Sequence, residues 1–290
     1  MEDIILIDLN KMDKYINKTF CMDNLELMKE LPDNCIDLIY CDILYGTGRN
    51  FGDYQDLKCN RKIIEDHYIP RIKEMYRVLK DTGSIYLQMD TRINHWVRCI
   101  MDDIFGYDNF RNEIIVKNKK GGNGKYFMKR HDILLFYSKS KNVIFNKIRG
   151  EIYNIKTQAG TWAKILNSYN GNLPYPDEII NEVNSLLSKN KSNVKIHKEG
   201  AFLSDVWVSE NQSHKTRVYA TQKPKALIER IIKASSNEGD LVADFYMGSG
   251  TTAEVCQDLN RKFMGCDISE KAVAITTKRI MEEIQYDSSI

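Results

Sequence analysis

The chain of 290 residues reads as an α/β protein built on a doubly wound sheet, and three observations carry that reading. Short apolar runs alternate with helix-period patterns from residue 36 to residue 117, the rhythm of a sheet covered by helices. The same rhythm resumes at Pro224 and continues to the end. Near the end, Gly248-Ser249-Gly250 joins an apolar run to a helical pattern, the tight turn of a ligand-binding βα unit.

Taken in order, residues 36–40 form an apolar run behind the Asp33-Asn34 turn and predict a buried strand. Ile64, Tyr68, Ile72, Met75 and Leu79 recur at helical spacing, and that helix stops before Asp81-Thr82-Gly83. A strand over 84–89, a helix over 93–104 and a strand over 113–117 follow. Residues 118–125 read as a flexible basic loop, and 132–137 as the next strand. Residues 146–204 lack the βα period and hold the Pro174/Pro176 turn with a short helix near 177–187, so they predict an inserted subdomain. Pro224 fits the first turn of a helix carrying Leu227, Ile231 and Ile232. A strand over 241–246, a helix from Thr251, a strand over 262–266 and a helix from Glu270 complete the pattern. The division expected is 1–145, 146–204 and 205–290.

Composition narrows the function. With 42% hydrophobic and 28% charged residues, the chain is neither disordered nor collagen-like, and no apolar run is long enough for a membrane helix. Its acidic start, Met1-Glu2-Asp3, is not that of a signal peptide. The seven cysteines form no C-x-x-C pair and the five histidines no cluster, so neither a zinc site nor a disulfide framework is expected. Reduced thiols suit a cytoplasmic protein. The net charge of +2 hides a local excess: residues 117–149 hold ten basic side chains against one acid, Asp132, a balance of +9.

Two turns carry the chemistry. Gly248 and Gly250 allow unusual backbone angles and close approach of a ligand, and Asp267, at the end of the next strand, can accept both hydroxyls of a ribose. The glycine spacing also fits a degenerate dinucleotide fingerprint. Only 40 residues follow Gly250, however, so the strands before residue 140 must complete the sheet and the order is circularly permuted. Asp244, ahead of the glycines, suits a cationic ligand end where a pyrophosphate site would avoid a carboxylate. That combination points to S-adenosylmethionine. The second turn is Cys41-Asp42-Ile43-Leu44-Tyr45-Gly46-Thr47-Gly48, at the end of the first clear strand. A carboxylate three residues from an aromatic ring suits a flipped base, with the ring to stack and the acid to bind the exocyclic amine. A capping aspartate beside a core tyrosine is the plain alternative.

In their order, these segments resemble the beta group of S-adenosylmethionine-dependent DNA amino-methyltransferases, in which a D-P-P-Y or S-P-P-Y loop precedes an F-x-G-x-G motif. Asp42-Ile43-Leu44-Tyr45 takes the first place and Tyr246-Met247-Gly248-Ser249-Gly250-Thr251-Thr252 the second. Asp205-Val206-Trp207 and Thr221-Gln222-Lys223-Pro224 resemble the segment before the cofactor motif, and Phe20-Cys21-Met22-Asp23 with Leu31-Pro32-Asp33-Asn34 resembles the strand and turn ahead of the catalytic loop. The similarity spans 18–145 and 205–284. Departures are Ile43-Leu44 for Pro-Pro, Phe245 for a proline, Val116 for a tryptophan, and Val218-Tyr219-Ala220 without the frequent H-P.

The resemblance implies a Rossmann-like methyltransferase sheet and methyl transfer to the N6 amine of a flipped adenine, with Asp42, Ile43, Leu44 and Tyr45 as the catalytic loop. It implies cofactor binding by Asp23, Lys223, Asp244, Tyr246, Gly248, Ser249, Gly250, Thr251 and Asp267. Double-stranded DNA is the implied partner, met by Lys119, Lys120, Lys125, Lys129 and Arg130, and residues 146–204 become the target-recognition region. A homodimer and a cognate restriction endonuclease are partners the family allows. N4-cytosine methylation and a catalytically weak DNA- and cofactor-binding protein, the latter because of Ile43-Leu44, stand as alternatives; a nicotinamide oxidoreductase is disfavoured by the motif order and Asp244. The chemistry needs no metal.

Overall fold

A computed structural model describes residues 12–117, 125–151, 164–166, 173–190, 195–208 and 222–287. Among these, eight strands form the main sheet: β1 (Lys18–Cys21), β2 (Ile36–Asp42), β3 (Leu79–Met89), β4 (Phe110–Lys117), β5 (His131–Ser138), β8 (Val206–Val208), β9 (Leu241–Asp244) and β10 (Lys262–Asp267). Their spatial order is β1-β10-β9-β2-β3-β5-β4-β8. From β1 through β3 every pairing is parallel; β5 pairs antiparallel with both β3 and β4, and β8 runs parallel to β4. The observed sheet is thus the doubly wound α/β arrangement, with an antiparallel edge.

Helices cover both faces. Along β2 the side chains alternate: Ile39 and Cys41 join one apolar cluster, Leu38 and Tyr40 the other. The first cluster is closed by α1 (Asn24–Glu30), α2 (Arg61–Val78) and α3 (Asn94–Phe105) through Leu27, Ile64, Tyr68, Ile72, Val97 and Ile100. The second is closed by α5 (Lys225–Ser235) and α6 (Thr251–Asp258) through Leu227, Ile228, Ile231, Ile232, Val255 and Cys256. Burial on both faces explains why the parallel strands read as unbroken apolar runs. The last helix is α7 (Glu270–Asp287).

The chain winds outward in both directions from the β9–β2 pair, where Leu38 lies opposite Val242 and Ile39 opposite Ala243. This is the topological switch point, and ligands bind outside the carboxyl ends of the strands there. Asp42 ends β2 and Asp244 ends β9, so the fold brings the two sequence-distant turns to one crevice.

Some bounds differ from the sequence expectations, for local reasons. β9 ends at Asp244 rather than at 246, because the Asp244 carboxylate accepts the Tyr246 amide at 3.0 Å and turns the chain. β3 begins at Leu79, directly after α2, so the Asp81-Thr82-Gly83 segment is strand, not turn. Gly83 is required there: a Cβ would collide with the Leu79 side chain and the Asp37 carbonyl. The segment after Phe20-Cys21-Met22-Asp23 is a helix, α1, for which Asp23 is the N-cap, its carboxylate accepting the Leu25 amide at 2.7 Å. Pro224 precedes α5 as its N-cap residue instead of lying in the first turn.

Lys147–Ser204 forms a second compact unit with a core of its own. It holds the antiparallel pair β6 (Arg149–Glu151) and β7 (Ala201–Phe202), helix α4 (Asp177–Lys189), and a small core of Leu166, Tyr175, Val183, Leu187 and Ile196. Asn184 exchanges two hydrogen bonds with the Ile196 backbone, donating at 3.0 Å and accepting at 2.9 Å, which fastens the helix to the following segment.

Candidate active site

A pocket of about 230 Å³ opens at the switch point. Its walls come from both turns, with Asp42 to Tyr45 on one side and Asp244 to Ser249 on the other, and from Asp23, His67, Lys223 and Asp267.

The β9 side is organised around Asp244, with help from β10 and α7. Asp244 is buried; its second oxygen accepts the Thr252 hydroxyl at 2.6 Å, so the acid ties the strand end to the first turn of α6. Burial, aided by the charges of Asp42 and Asp267, pushes its carboxyl up to about 7, against the hydrogen bonds from Thr252 and the Tyr246 amide. Gly250 stands at φ +76°, and a Cβ there would strike Thr276 of α7. Gly248, at φ +53°, meets nothing within 4 Å on its Cβ side, leaving open space over the turn. Asp267, at the end of β10, accepts the Gly248 amide at 2.9 Å and the Ser269 amide at 2.9 Å.

Away from the glycines lies a polar cluster of which sequence reasoning found only Asp23 and Tyr246. Arg71 donates to Asp23 at 2.6 Å and to Asn24 at 2.7 Å, and Asn24 donates to the Phe245 carbonyl at 2.9 Å. His67, one turn before Arg71, lies 3.1 Å from the Tyr246 hydroxyl; burial and the Arg71 charge lower its pKa to about 4, so the ring is neutral. His67 and Arg71 at i and i+4 on a helix whose other face is apolar formed a readable signal.

The β2 side is organised by residues far away in sequence. Ile43 is buried, and its amide donates to the Gln88 carbonyl at 3.0 Å, extending the β2–β3 ladder by one bond that a proline could not make. The fully buried ring of Tyr68 sends its hydroxyl to the Leu44 carbonyl at 3.0 Å. Tyr45 donates to Asp42 Oδ1 at 2.9 Å and lies 3.2 Å from Asp132 Oδ2; Tyr40 and Gln88 continue this chain, at 2.9 Å to each other and 3.4 Å from Gln88 to Asp132. Lys223 Nζ sits 2.6 Å from Asp42 Oδ2 and 2.9 Å from the Tyr45 hydroxyl. Burial raises the Asp42 carboxyl, and the Lys223 charge opposes that shift. Beyond the loop, Asp56 gathers the amides of Gly46, Thr47 and Leu57 at 3.1, 2.8 and 2.8 Å and shapes the wall over the pocket.

The groups facing the pocket fit a nucleoside-bearing cofactor with a cationic end. Acidic acceptors at Asp23, Asp244 and Asp267 match an amine and hydroxyl donors, and the open face of Gly248 is a space that any side chain would fill. Among the described residues, no group of acids, histidines and cysteines could hold a metal ion.

A family model described as DNA methylase matches residues 36–278. The chain is 31% identical to the Type II methyltransferase M.HpaI of Haemophilus parainfluenzae, over 94% of this chain and 77% of that protein. It is 29% identical to the DNA adenine methyltransferase YhdJ of Escherichia coli (strain K12), over 92% of this chain and 83% of that one. The chain belongs to the N6/N4 DNA methylases. These are S-adenosylmethionine-dependent DNA amino-methyltransferases, and the fold agrees. The PvuII DNA methyltransferase (cytosine-N4-specific) superposes with a TM-score of 0.59 at 16% identity, covering 90% of this chain and 85% of that one. The M1.HpyAVI–SAM complex gives 0.55 at 18% identity, covering 91% and 98%.

Within this methylase, the structure assembles Asp42, Ile43, Leu44, Tyr45, Asp23, Asp244, Tyr246, Gly248, Ser249, Thr251 and Asp267 around one pocket. Gly250 supports the turn from behind, against Thr276. Lys223, expected beside the methionine end of the cofactor, lines the same pocket and pairs there with Asp42. Of the basic residues expected to meet DNA, Lys119 and Lys120 lie outside the described residues, as do Thr221 and Val218-Tyr219-Ala220. Lys125, Lys129 and Arg130 are exposed, and Lys129 pairs with Asp90. Lys139, also in the basic segment, is turned inward: its ammonium donates to the Leu79 carbonyl at 2.6 Å, and burial lowers its pKa. Cys41 is buried, and burial pushes its thiol pKa up, as suits a packed strand residue.

Proposed function

We propose that this methylase modifies the N6 amine of adenine in double-stranded DNA, within a restriction-modification setting. The observation that carries the chemistry is the Asp42–Tyr45 pair at the switch-point pocket: an oriented carboxylate and a ring in one place. The exocyclic amine of a base is conjugated with its ring and is a poor nucleophile. Asp42 accepts one of its N–H bonds. The Ile43 carbonyl, which no donor among the described residues engages, accepts the other. Both bonds draw the nitrogen toward tetrahedral geometry and free its lone pair, and Tyr45 holds the base by stacking. The cofactor would supply an electrophilic methyl group on a sulfonium, with Asp244 to hold its ammonium, Asp267 its ribose, and the His67–Tyr246–Asp23 cluster its adenine end. Alignment of amine and methyl is then the main source of rate.

Aspartate rather than serine at position 42, and the similarity to a DNA adenine methyltransferase, support adenine. The fold shared with a cytosine-N4 enzyme keeps N4-cytosine as the second reading. Residues 147–204 form the separate unit that supports target recognition, and Lys125 and Arg130 meet phosphates. Modification-sensitive sequencing of DNA from cells expressing the chain tests all of this at once. N6-methyladenine in a defined sequence is expected; N4-methylcytosine establishes the second reading, and unmodified DNA from a protein that binds cofactor establishes an inactive binder.

A further inference from the structure

The segment that leads into β5 carries a surface that the pocket does not use. Residues 125–130 include three basic side chains and no acid, and all six residues are exposed. In their midst stand Tyr126, Phe127 and Met128. Tyr126 is 79% exposed and Phe127 fully so, and among the described residues no other stretch exposes three large apolar side chains in succession. Lys125 lies 5.7 Å from the centroid of the Tyr126 ring, and Arg130 reaches the Met128 sulfur at 3.8 Å, so cations border the patch. A phenylalanine ring left in water forgoes the gain of burial, and a contiguous apolar patch with a polar rim marks a surface that a partner covers. The foot of the segment is fixed beside the chemistry. Lys129 pairs with the buried Asp90, just beyond the end of β3, and His131 opens β5 opposite Lys117. The next residue, Asp132, lies 3.2 Å from the Tyr45 hydroxyl. Phe127 precedes Asp132 by five residues, which limits the separation of their Cα atoms to about 18 Å.

We propose that Phe127 is a wedge, which enters the stack of a DNA duplex and fills the gap that the target base leaves. The proposal rests on the reading of this chain as a methylase of a flipped base. Such a base is drawn out at the cost of its pairing and stacking. The gap behind it is apolar above and below, and an apolar side chain inserted between base steps recovers part of that cost. Every base has a face on which a ring can stack, so the wedge aids extrusion without reading sequence. The charges around it fit the same partner. Lys125 and Arg130 flank the apolar tip, and a duplex carries phosphates on both sides of every base step. A protein partner would have to supply acids at both ends of an apolar face to match them.

Single-turnover methyl transfer by the full chain tests this on two duplexes carrying the sequence that is modified in cells. In one the target base has its normal partner. In the other a pyrene nucleotide stands opposite it, and pyrene fills the space of a base pair by itself and forces the target base out. Phe127→Ala is expected to slow transfer on the normal duplex by about 10- to 100-fold relative to wild type. On the pyrene duplex, where the gap is already filled, the two proteins are expected to agree within about threefold. Phe127→Trp, which keeps a ring at the tip, is expected to stay within about threefold of wild type on both. Equal slowing of Phe127→Ala on the two duplexes makes the ring an ordinary contact and overturns the wedge, and so does no slowing on either. A wild-type protein that modifies no DNA overturns the methylation reading and the wedge together, whereas an active wild type with a variant indifferent to pyrene overturns the wedge alone.

Discussion

The two turns that meet at the pocket solve the same problem in opposite ways. Each follows a parallel strand, presents an aspartate and then runs through glycines. The aspartate of the β9 turn is held from within eight residues, by Tyr246 and Thr252, while Asp267, Asn24 and Thr276 steady the turn's backbone from farther off. The β2 loop is held from across the fold, by Tyr68, Gln88, Asp132 and Lys223. An aspartate fixed by its own turn suits a constant ligand. A loop fixed by distant side chains can change state when one of them lets go, which suits a site whose substrate must be admitted from a duplex.

Substitutions that strike one turn and spare the other test this contrast. The largest effect is expected at Asp42→Ala, which removes the amine acceptor: methyl transfer falls by about 10³-fold or more while cofactor affinity stays within about twofold. Radiolabelled methyl transfer and calorimetry on the same sample decide it, and retained transfer removes Asp42 from the mechanism. Gly250→Ala attacks the other turn. Its positive φ and the clash with Thr276 are expected to cost about 2–4 kcal/mol, seen as a lower melting temperature and lost cofactor binding. An unaltered melt means the turn is looser than its geometry implies.

A third test uses pH. The Asp244 carboxyl, at about 7, lies above its ordinary value of 3.8, so the folded protein keeps a proton that the unfolded chain releases. Folding stability from this group is therefore full below the ordinary value and declines as pH rises toward 7. Binding of a cationic ligand end demands the ionised form and reverses the trend. Cofactor affinity is expected to rise by about tenfold per pH unit below 7 and to level off above it. Asp244→Asn should flatten that rise; a slope that survives assigns it to another group. The smallest effect belongs to Tyr68→Phe, which deletes one buried hydrogen bond to Leu44 and should lower kcat by about fivefold with KM for cofactor unchanged. A shift in KM instead places Tyr68 with the cofactor.

The difference between the turns also explains what could be read from the sequence. Asp244, Gly248, Gly250 and Thr252 act within a short stretch, so their spacing alone announced a βα ligand turn. Asp42 and Tyr45 were legible as a pair because they are three residues apart. Their supports were not. Asp132 entered the reading only as the lone acid in a basic segment, and the antiparallel register that sets Ile133 opposite Met89 is what carries it to Tyr45. Lys223 could be placed in the pocket by resemblance, but its pairing with Asp42 could not be read. The charge count likewise could not show partners remote in sequence: Lys139 is turned inward onto the Leu79 carbonyl, and Lys129 pairs with Asp90.

One hydrogen bond of the β2 loop also offers a way of watching that loop move. Where relatives of the beta group carry a proline ring, position 43 here carries an amide proton, bound to the Gln88 carbonyl at 3.0 Å. Proline has no such proton to exchange. Ile43 is thus a native reporter within the catalytic loop: its amide is shielded while the loop is docked on β3, and it exchanges with solvent deuterium each time the loop lifts away. The substitution that removed a stiff ring also gave the loop a clock.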